Sequence, residues 1–259
     1  MDVYPFSGPK PPAPITLAEI PLGYTAREAL EMSLGKGAGT AIYKQIVNRV
    51  GLEPGQELGH GMKGVVYALP DGRVLKLTAD ASEIKAMTLL KGLKHPNLVR
   101  IDDVFVVCRG QSGVGVVVRE WVGVSLQDVK GIAGLNEEME RILSVADKSI
   151  DDEIESRGEE EPTLDRKNAM SVFLDLLQDY SETLDDWPDH QGIVRGIRNG
   201  VGKLYDLGIY GIDFDARNIA VDQDGNPVIF DVGVVKMDTE PDVATIGCPK
   251  GRPIVSEVF

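Results

Sequence analysis

Hydrophobic positions along this chain recur with two periods, three to four residues in some stretches and two in others, and the changes between them mark its elements. The first periodic stretch, "TAREALEMSL", predicts a helix capped at Thr25. After an interruption at "GKGAG", "TAIYKQIVNRVG" predicts a second, with Ile42, Ile46 and Val50 on one face and Gly51 as its stop. From residue 56 the period shortens to two. "QELGH", "GVVYALP" and "GRVLKLT" read as strands, and Pro70, Asp71 and Gly72 supply a hairpin turn, so an antiparallel sheet is expected. "DASEIKAMTLLKGL" returns to helix, capped near Asp80 or Ser82, with Ile84, Met87, Leu90 and Leu93 along one stripe. "NLVRIDDVFVV" and "VGVVVREWV" are again strands, separated by "CRGQSG". Further on, "NAMSVFLDLLQDY" is an amphipathic helix, and "HQGIVRGIRNGVGKLYDLG" sets Ile193, Ile197, Val201 and Leu204 on a core face before Gly208 ends it.

Two stretches fall outside this pattern. Residues 1–24 contain Pro5, Pro9, Pro11, Pro12, Pro14 and Pro21, which favour an extended arm. Residues 135–161 carry many carboxylates and few basic residues, densest at "DDEIESRGEEEP", and are expected to form a solvent-facing insertion. Either stretch is a candidate docking surface for a protein partner. At 259 residues the chain is long enough for one large domain or two small lobes. Its 27 Lys and Arg against 41 Asp and Glu give a net charge of -14, which removes any general attraction to nucleic acid or to an anionic membrane. No apolar run approaches the roughly 20 residues needed to span a bilayer, and the N-terminal stretch lacks the basic start and apolar core of a signal peptide. A cytoplasmic protein is expected. The only cysteines, Cys108 and Cys248, do not cluster with each other or with His, so neither a zinc site nor a disulfide framework is expected.

Two motifs carry candidate chemistry. "LGHGMKGVVYAL" spaces Gly59, Gly61 and Gly64 as G-x-G-x-x-G, which suits a loop over nucleotide phosphates or, equally, a hairpin that needs positive φ. "GIYGIDFDARNIAVDQDGNPVIFDVGVVK" holds Asp213, Asn218 five residues later, a turn at "QDGN", and Asp231 at the end of the apolar "PVIF". Phosphoryl transfer needs such a set: one carboxylate to orient or deprotonate a hydroxyl, plus an amide oxygen and a second carboxylate as hard oxygen ligands for Mg²⁺.

In order along the chain, "GHGMKGVV", "VLKL", a Glu-bearing helix followed by "HPNLVRI", "VVVREWVG", "DFDARN" and "DVG" resemble the elements of the protein-kinase-like superfamily, over roughly residues 56–235. The resemblance implies an α+β, two-lobed protein-kinase-like fold. Residues 1–51 would form the Pro-rich arm and a helical extension, and residues 52–122 an N-lobe with an antiparallel five-stranded sheet and hinge. Residues 123–259 would form a reduced helical C-lobe with the acidic insertion, the catalytic loop and the metal-binding motif.

The resemblance also implies ATP and Mg²⁺ as cofactors and assigns roles. Gly59, Gly61 and Gly64 would let the backbone approach the phosphates, with Val66 completing the glycine-loop motif. Lys76 would reach the α- and β-phosphates and Glu83 would hold Lys76. Backbone groups of Glu120 and Val122 would meet adenine, Asp213 would be the catalytic base, and Asn218 and Asp231 the metal ligands. Arg217, within "DARN", would sit beside the base or clamp an anionic substrate. Four departures stand out. Family spacing back from "HPN" lands on Ala86, three residues after Glu83 and on nearly the same helix face. Arg119 occupies the gatekeeper position. Gly211 and Ile212 replace the usual His-Arg, so no docking site for a phosphorylated activation loop is implied. After "DVG", 26 residues follow without Ala-Pro-Glu. The implied activity is an ATP- and Mg-dependent phosphotransferase, a small atypical protein kinase acting on a hydroxyl. Its alternatives are a small-molecule kinase of the aminoglycoside or choline-kinase type, a pseudokinase binding module, and an AMP-transferring enzyme.

Overall fold

The computed structural model describes residues 22–61, 64–109, 112–125, 190–210, 216–232, 236–237 and 255–256. The Pro-rich part of the arm up to Pro21, the acidic insertion, the helix expected at "NAMSVFLDLLQDY" and Asp213 lie outside these residues. The described chain is α+β and forms two compact units, one built from residues 22–61, 64–81, 103–109, 112–118 and 255–256, the other from 82–102, 119–125, 190–210, 216–232 and 236–237.

The first unit begins with α1 (Ala26–Leu34), whose start is fixed by a reciprocal capping box: Thr25 Oγ1 accepts from the Glu28 N–H at 3.3 Å, and Glu28 Oε2 accepts from the Thr25 N–H at 2.9 Å. Only Gly35, at φ 83°, breaks the helix. The second helix, α2 (Lys36–Val50), therefore starts inside the "GKGAG" stretch that the pattern read as an interruption. Gly39 explains why glycines were needed there without breaking the helix, since a Cβ at that position would strike the α1 backbone at Leu30 and Glu31. Thr40 Oγ1 ties the pair together, donating to Glu31 Oε1 at 2.6 Å. As the sequence predicts, α2 ends at Gly51, in the left-handed region at φ 77°.

The sheet contains β1 (Glu57–Gly61), β2 (Gly64–Ala68), β3 (Arg73–Thr78), β4 (Ile101–Arg109), β5 (Ser112–Glu120) and β11 (Val255–Ser256), in the order β1-β2-β3-β5-β4-β11. The five expected strands thus gain a sixth at the β4 edge, where Val255 and Ser256 pair antiparallel with Val107 and Val106. One face of the sheet is apolar, with Val65, Tyr67, Leu75, Leu77, Val114, Val116 and Val118 packed with Leu30, Ile42 and Ile46 of the two helices. Arg49 on α2 closes the rim, pairing with both carboxylate oxygens of Asp103 at 2.9 and 3.2 Å and lying 4.4 Å over the Phe105 ring. Cys108 on β4 is buried and disulfide-bonded, a single bond to which the sequence pattern did not point; the other cysteine, Cys248, lies outside the described residues. Separation along the sequence had concealed a pairing made by the fold.

In the second unit, α3 (Ala81–Leu90) buries Ile84, Met87 and Leu90 as its stripe predicts, while Leu93 falls past the helix end and is half-buried. α4 (His190–Asp206) buries all four predicted core residues and stops before Gly208, at φ 73°. Three short strands, β6 (Val124–Ser125), β8 (Ile219–Val221) and β9 (Pro227–Ile229), pair in the order β6-β8-β9; β7 (Ile209–Tyr210) pairs with β10 (Lys236–Met237). The segment before β4 differs from expectation. Asn97 to Val99 do not extend β4 but lie along β9, with Val99 N–H donating to Ile229 O and Ile229 N–H to Asn97 O, both at 3.0 Å. Helix α4 fits over this segment because it carries glycines: a Cβ at Gly196 would lie 2.6 Å from Asn97 Nδ2, and one at Gly200 would lie 2.9 Å from Asn97 O. Among the described residues no helix is long and apolar enough to cross a membrane.

Candidate functional site

In the first unit the register of three strands sets three of the sequence-predicted residues in one row. Gly59 on β1 lies opposite Val66 on β2, and Val66 lies opposite Lys76 on β3. Alternation fixes which way the row faces, because Val65, Tyr67, Leu75 and Leu77 beside it all point into the core under α1 and α2. Val66 and Lys76 therefore emerge on the other face, half-buried. A register shift between Glu57 and Gly59, a bulge in the strand that opens the glycine motif, sets this alignment.

The three glycines have different local reasons. Gly64 must be glycine for packing, since a Cβ would strike the Leu77 carbonyl on β3. Gly61 pairs with Gly64 to close the β1–β2 hairpin. Gly59 has open space where a Cβ would go and no positive φ, so neither a protein contact nor backbone strain requires it. That removes the hairpin explanation for Gly59 and leaves clear room over the strand. A cavity of about 340 Å³ adjoins this strand, lined by Leu22, Tyr24, Thr25, Glu57 and Gly59 among others. Val66 and Lys76 do not line it.

In the second unit, the β8–β9 hairpin brings the two proposed metal ligands to one end. Its tip is the expected "QDGN" turn, where Asp222 Oδ1 accepts from the N–H groups of Asp224 at 2.9 Å and Asn226 at 2.8 Å, with Gly225 at φ 84°. At the open end Ile219 pairs with Ile229, and the next rung is closed by Phe230 N–H donating to Asn218 O at 3.0 Å. Asn218, the last residue of a short 3₁₀ turn (Ala216–Asn218), thus lies opposite Phe230, with Asp231 one residue beyond; both candidate ligands are half-buried. Arg217 is exposed. Asp213 lies outside the described residues; on one side of it Tyr210 is paired with Lys236, and on the other the 3₁₀ turn leads into β8.

Glu83 is buried in the first turn of α3, 2% exposed. Arg119, near the end of β5, is also buried, at 6%. Its guanidinium lies 5.0 Å over the Phe230 ring, and Nη1 donates to Glu120 O at 3.3 Å. Burial pushes the Arg119 pKa down, opposed by the negative charges of Asp231, Glu83 and Glu120. Of the groups assigned to adenine, the Glu120 N–H is already donated to Arg100 O at 3.1 Å, and its carbonyl accepts from Arg119. Val122 is buried, and Gly123 follows at φ 87°, where a Cβ would lie 2.5 Å from the Val221 carbonyl. The gatekeeper position drew attention to Arg119 in the sequence, but its stacking on Phe230 carried no sequence signal, because the contact joins residues more than a hundred positions apart.

Among the described residues no group of three or more His, Cys, Asp and Glu side chains is placed to hold a metal ion. By type, an amide oxygen and a carboxylate are hard oxygen ligands of the kind Mg²⁺ takes, with waters and substrate phosphates supplying the rest of its shell. A scan of protein-family models and a search of curated proteins return no match to this chain.

Proposed function

We propose that this chain is an ATP- and Mg-dependent phosphotransferase with a two-lobed protein-kinase-like fold, acting as a small atypical protein kinase on a hydroxyl acceptor. The observation that carries the reading is the row Gly59–Val66–Lys76, held on the sheet face opposite the helical core. It offers a nucleotide an open strand backbone, an apolar side chain and an ammonium group in succession. Gly59, Gly61 and Gly64 would admit the phosphates, Val66 would cover the base, and Lys76 would neutralise phosphate charge, with Glu83 as its acidic partner. Val122 and Glu120 would line the adenine edge.

In the second unit, Asn218 and Asp231 would hold Mg²⁺, which when bound would supply charge neutralisation on the β- and γ-phosphates. Asp213 would orient the acceptor hydroxyl and take its proton as the γ-phosphoryl group is transferred, and Arg217 would hold an anionic acceptor. With ATP as the donor, the reaction would take place in the cytoplasm.

Intact-mass analysis after incubation with Mg-ATP, beside Asp213→Ala and Asp231→Ala variants that retain wild-type circular dichroism, tests the reading. Mass added in single-phosphate steps to the wild type alone, with ATP consumed, is the expected result. ATP loss without added mass moves the acceptor to a small molecule, and AMP-sized steps redirect the assignment to adenylylation. Equal ATP turnover by all three proteins sinks the proposal, and a wild type that fails to bind nucleotide would turn the fold into a binding module.

A further inference from the structure

A guanidinium cannot shed its charge at accessible pH, so burying one requires anionic or π partners arranged around it. Arg119 is such a group, and every partner the structure gives it lies in the second unit. It stacks 5.0 Å over Phe230, donates to Glu120 O, and lies in the field of Asp231 and Glu83. Phe230 is not a neutral choice of platform. Its N–H is bonded to Asn218 O, and Asp231 follows it directly, so fixing the Phe230 ring fixes the rung that carries Asn218 and the backbone that leads into Asp231.

We infer that Arg119 is a positioning residue for the metal site: its guanidinium clamps the Phe230 ring and thereby holds the backbone that carries Asp231 in the arrangement a divalent cation requires. The inference rests on the proposed nucleotide reading. It assigns Arg119 a task that a neutral side chain of similar length cannot perform. It also predicts a sign. A cation that merely competes with Mg²⁺ for Asp231 would, on removal, strengthen metal binding; a cation that positions Asp231 would, on removal, weaken it.

The test is a titration of ATP binding against Mg²⁺ for wild type, Arg119→Met and Arg119→Lys, with binding also measured under chelation and folding checked by circular dichroism. Removing a group that orients a metal ligand typically lowers metal affinity about tenfold to a hundredfold. The Mg²⁺ midpoint of Arg119→Met should rise by that factor and by clearly more than any change in ATP affinity without metal, a separation that a merely structural defect would not produce. Arg119→Lys keeps the charge and loses the flat stack, so its midpoint should fall between the two. A folded Arg119→Met with an unchanged or lowered midpoint overturns the inference and leaves the nucleotide reading standing. If Arg119→Met does not fold, Arg119→Lys decides, and a midpoint equal to that of the wild type overturns it. A wild type that binds no ATP at any Mg²⁺ concentration overturns both.

Discussion

Gly59 and Gly64 belong to one motif, yet their surroundings predict opposite responses to the same added methyl group. At Gly64 a Cβ would meet the Leu77 carbonyl, a backbone atom held by the β2–β3 ladder, so the strands must part to admit it. Overpacking of this kind costs about 1–3 kcal/mol. In a chain of this size each kcal/mol moves the melting temperature by about 2–4 °C, so Gly64→Ala should melt roughly 2–12 °C below wild type. At Gly59 nothing lies within 4 Å of the added atom and φ is not positive. Alanine there restricts the unfolded chain and stabilises by about 0.4–1 kcal/mol or has no effect. Its methyl group would, however, stand on the same face as Val66 and Lys76, because Gly59 is paired with Val66. A phosphate approaching that backbone would meet it. A loss of at least about tenfold in Mg-ATP affinity, or about 1.4 kcal/mol, is expected for Gly59→Ala. Differential scanning calorimetry beside isothermal titration separates the two effects. The reasoning fails if Gly59→Ala melts alongside Gly64→Ala, which would make both glycines structural, or if it melts with wild type and binds Mg-ATP equally well.

Three further outcomes follow from the described contacts. His95 is held below its ordinary pKa of 6.5 by burial and by the positive charge of Lys203, while its Nδ1 accepts from the Asn97 N–H at 3.2 Å. The folded protein therefore binds this proton more weakly than the unfolded chain does, so the contribution is fully present above about pH 6.5 and is lost as pH falls through the depressed value. The urea midpoint of wild type should drop more steeply between about pH 7.5 and 5.5 than that of His95→Asn, and parallel curves would dismiss the assignment. Asn97→Ala removes the donor that reaches the buried Pro227 carbonyl at 2.9 Å; a destabilisation of about 1–3 kcal/mol in urea unfolding is expected, and a value near zero would show the carbonyl to be otherwise satisfied. Reducing the Cys108 disulfide should cost about 2–4 kcal/mol, read as a lower melting temperature with a reductant present, and alkylation of Cys108 without prior reduction would contradict the bond.

Local chemistry made much of this legible. The α4 stripe, the Thr25 cap and the "QDGN" turn each depend on residues within a few positions of one another, and each formed where the sequence placed it. The nearness of Asn218 and Asp231 along the hairpin has the same local origin, since a turn between two short strands sets Asn218 opposite Phe230, the residue before Asp231. What escaped depends on distant partners. The start of α2 was misplaced because Gly37 and Gly39 read as breakers, whereas Gly39 answers to the α1 backbone. Asn97 to Val99 read as the start of a strand, and their partner proved to be β9, about 130 positions later. The β11 edge strand and the disulfide at Cys108 are equally nonlocal.

A common feature of the candidate residues follows from this contrast. Lys76 lies between Leu75 and Leu77, both fully buried; Val66 lies between Val65 and Tyr67; Asn218 precedes Ile219, and Asp231 precedes Val232. In each case the immediate neighbour is locked into a core, and the candidate side chain is left half-buried at a position set by the backbone. Orientation is thus supplied by residues that no ligand would touch. Substituting Lys76, Asn218 or Asp231 should leave those cores intact, which is why loss of binding at these positions can be read as chemistry. Arg119 breaks the rule, being itself buried and charged. A position that gives up the protection of an apolar side chain for a desolvated guanidinium has to be explained by what that guanidinium holds, and what it holds is Phe230, the residue bonded to Asn218 and followed by Asp231.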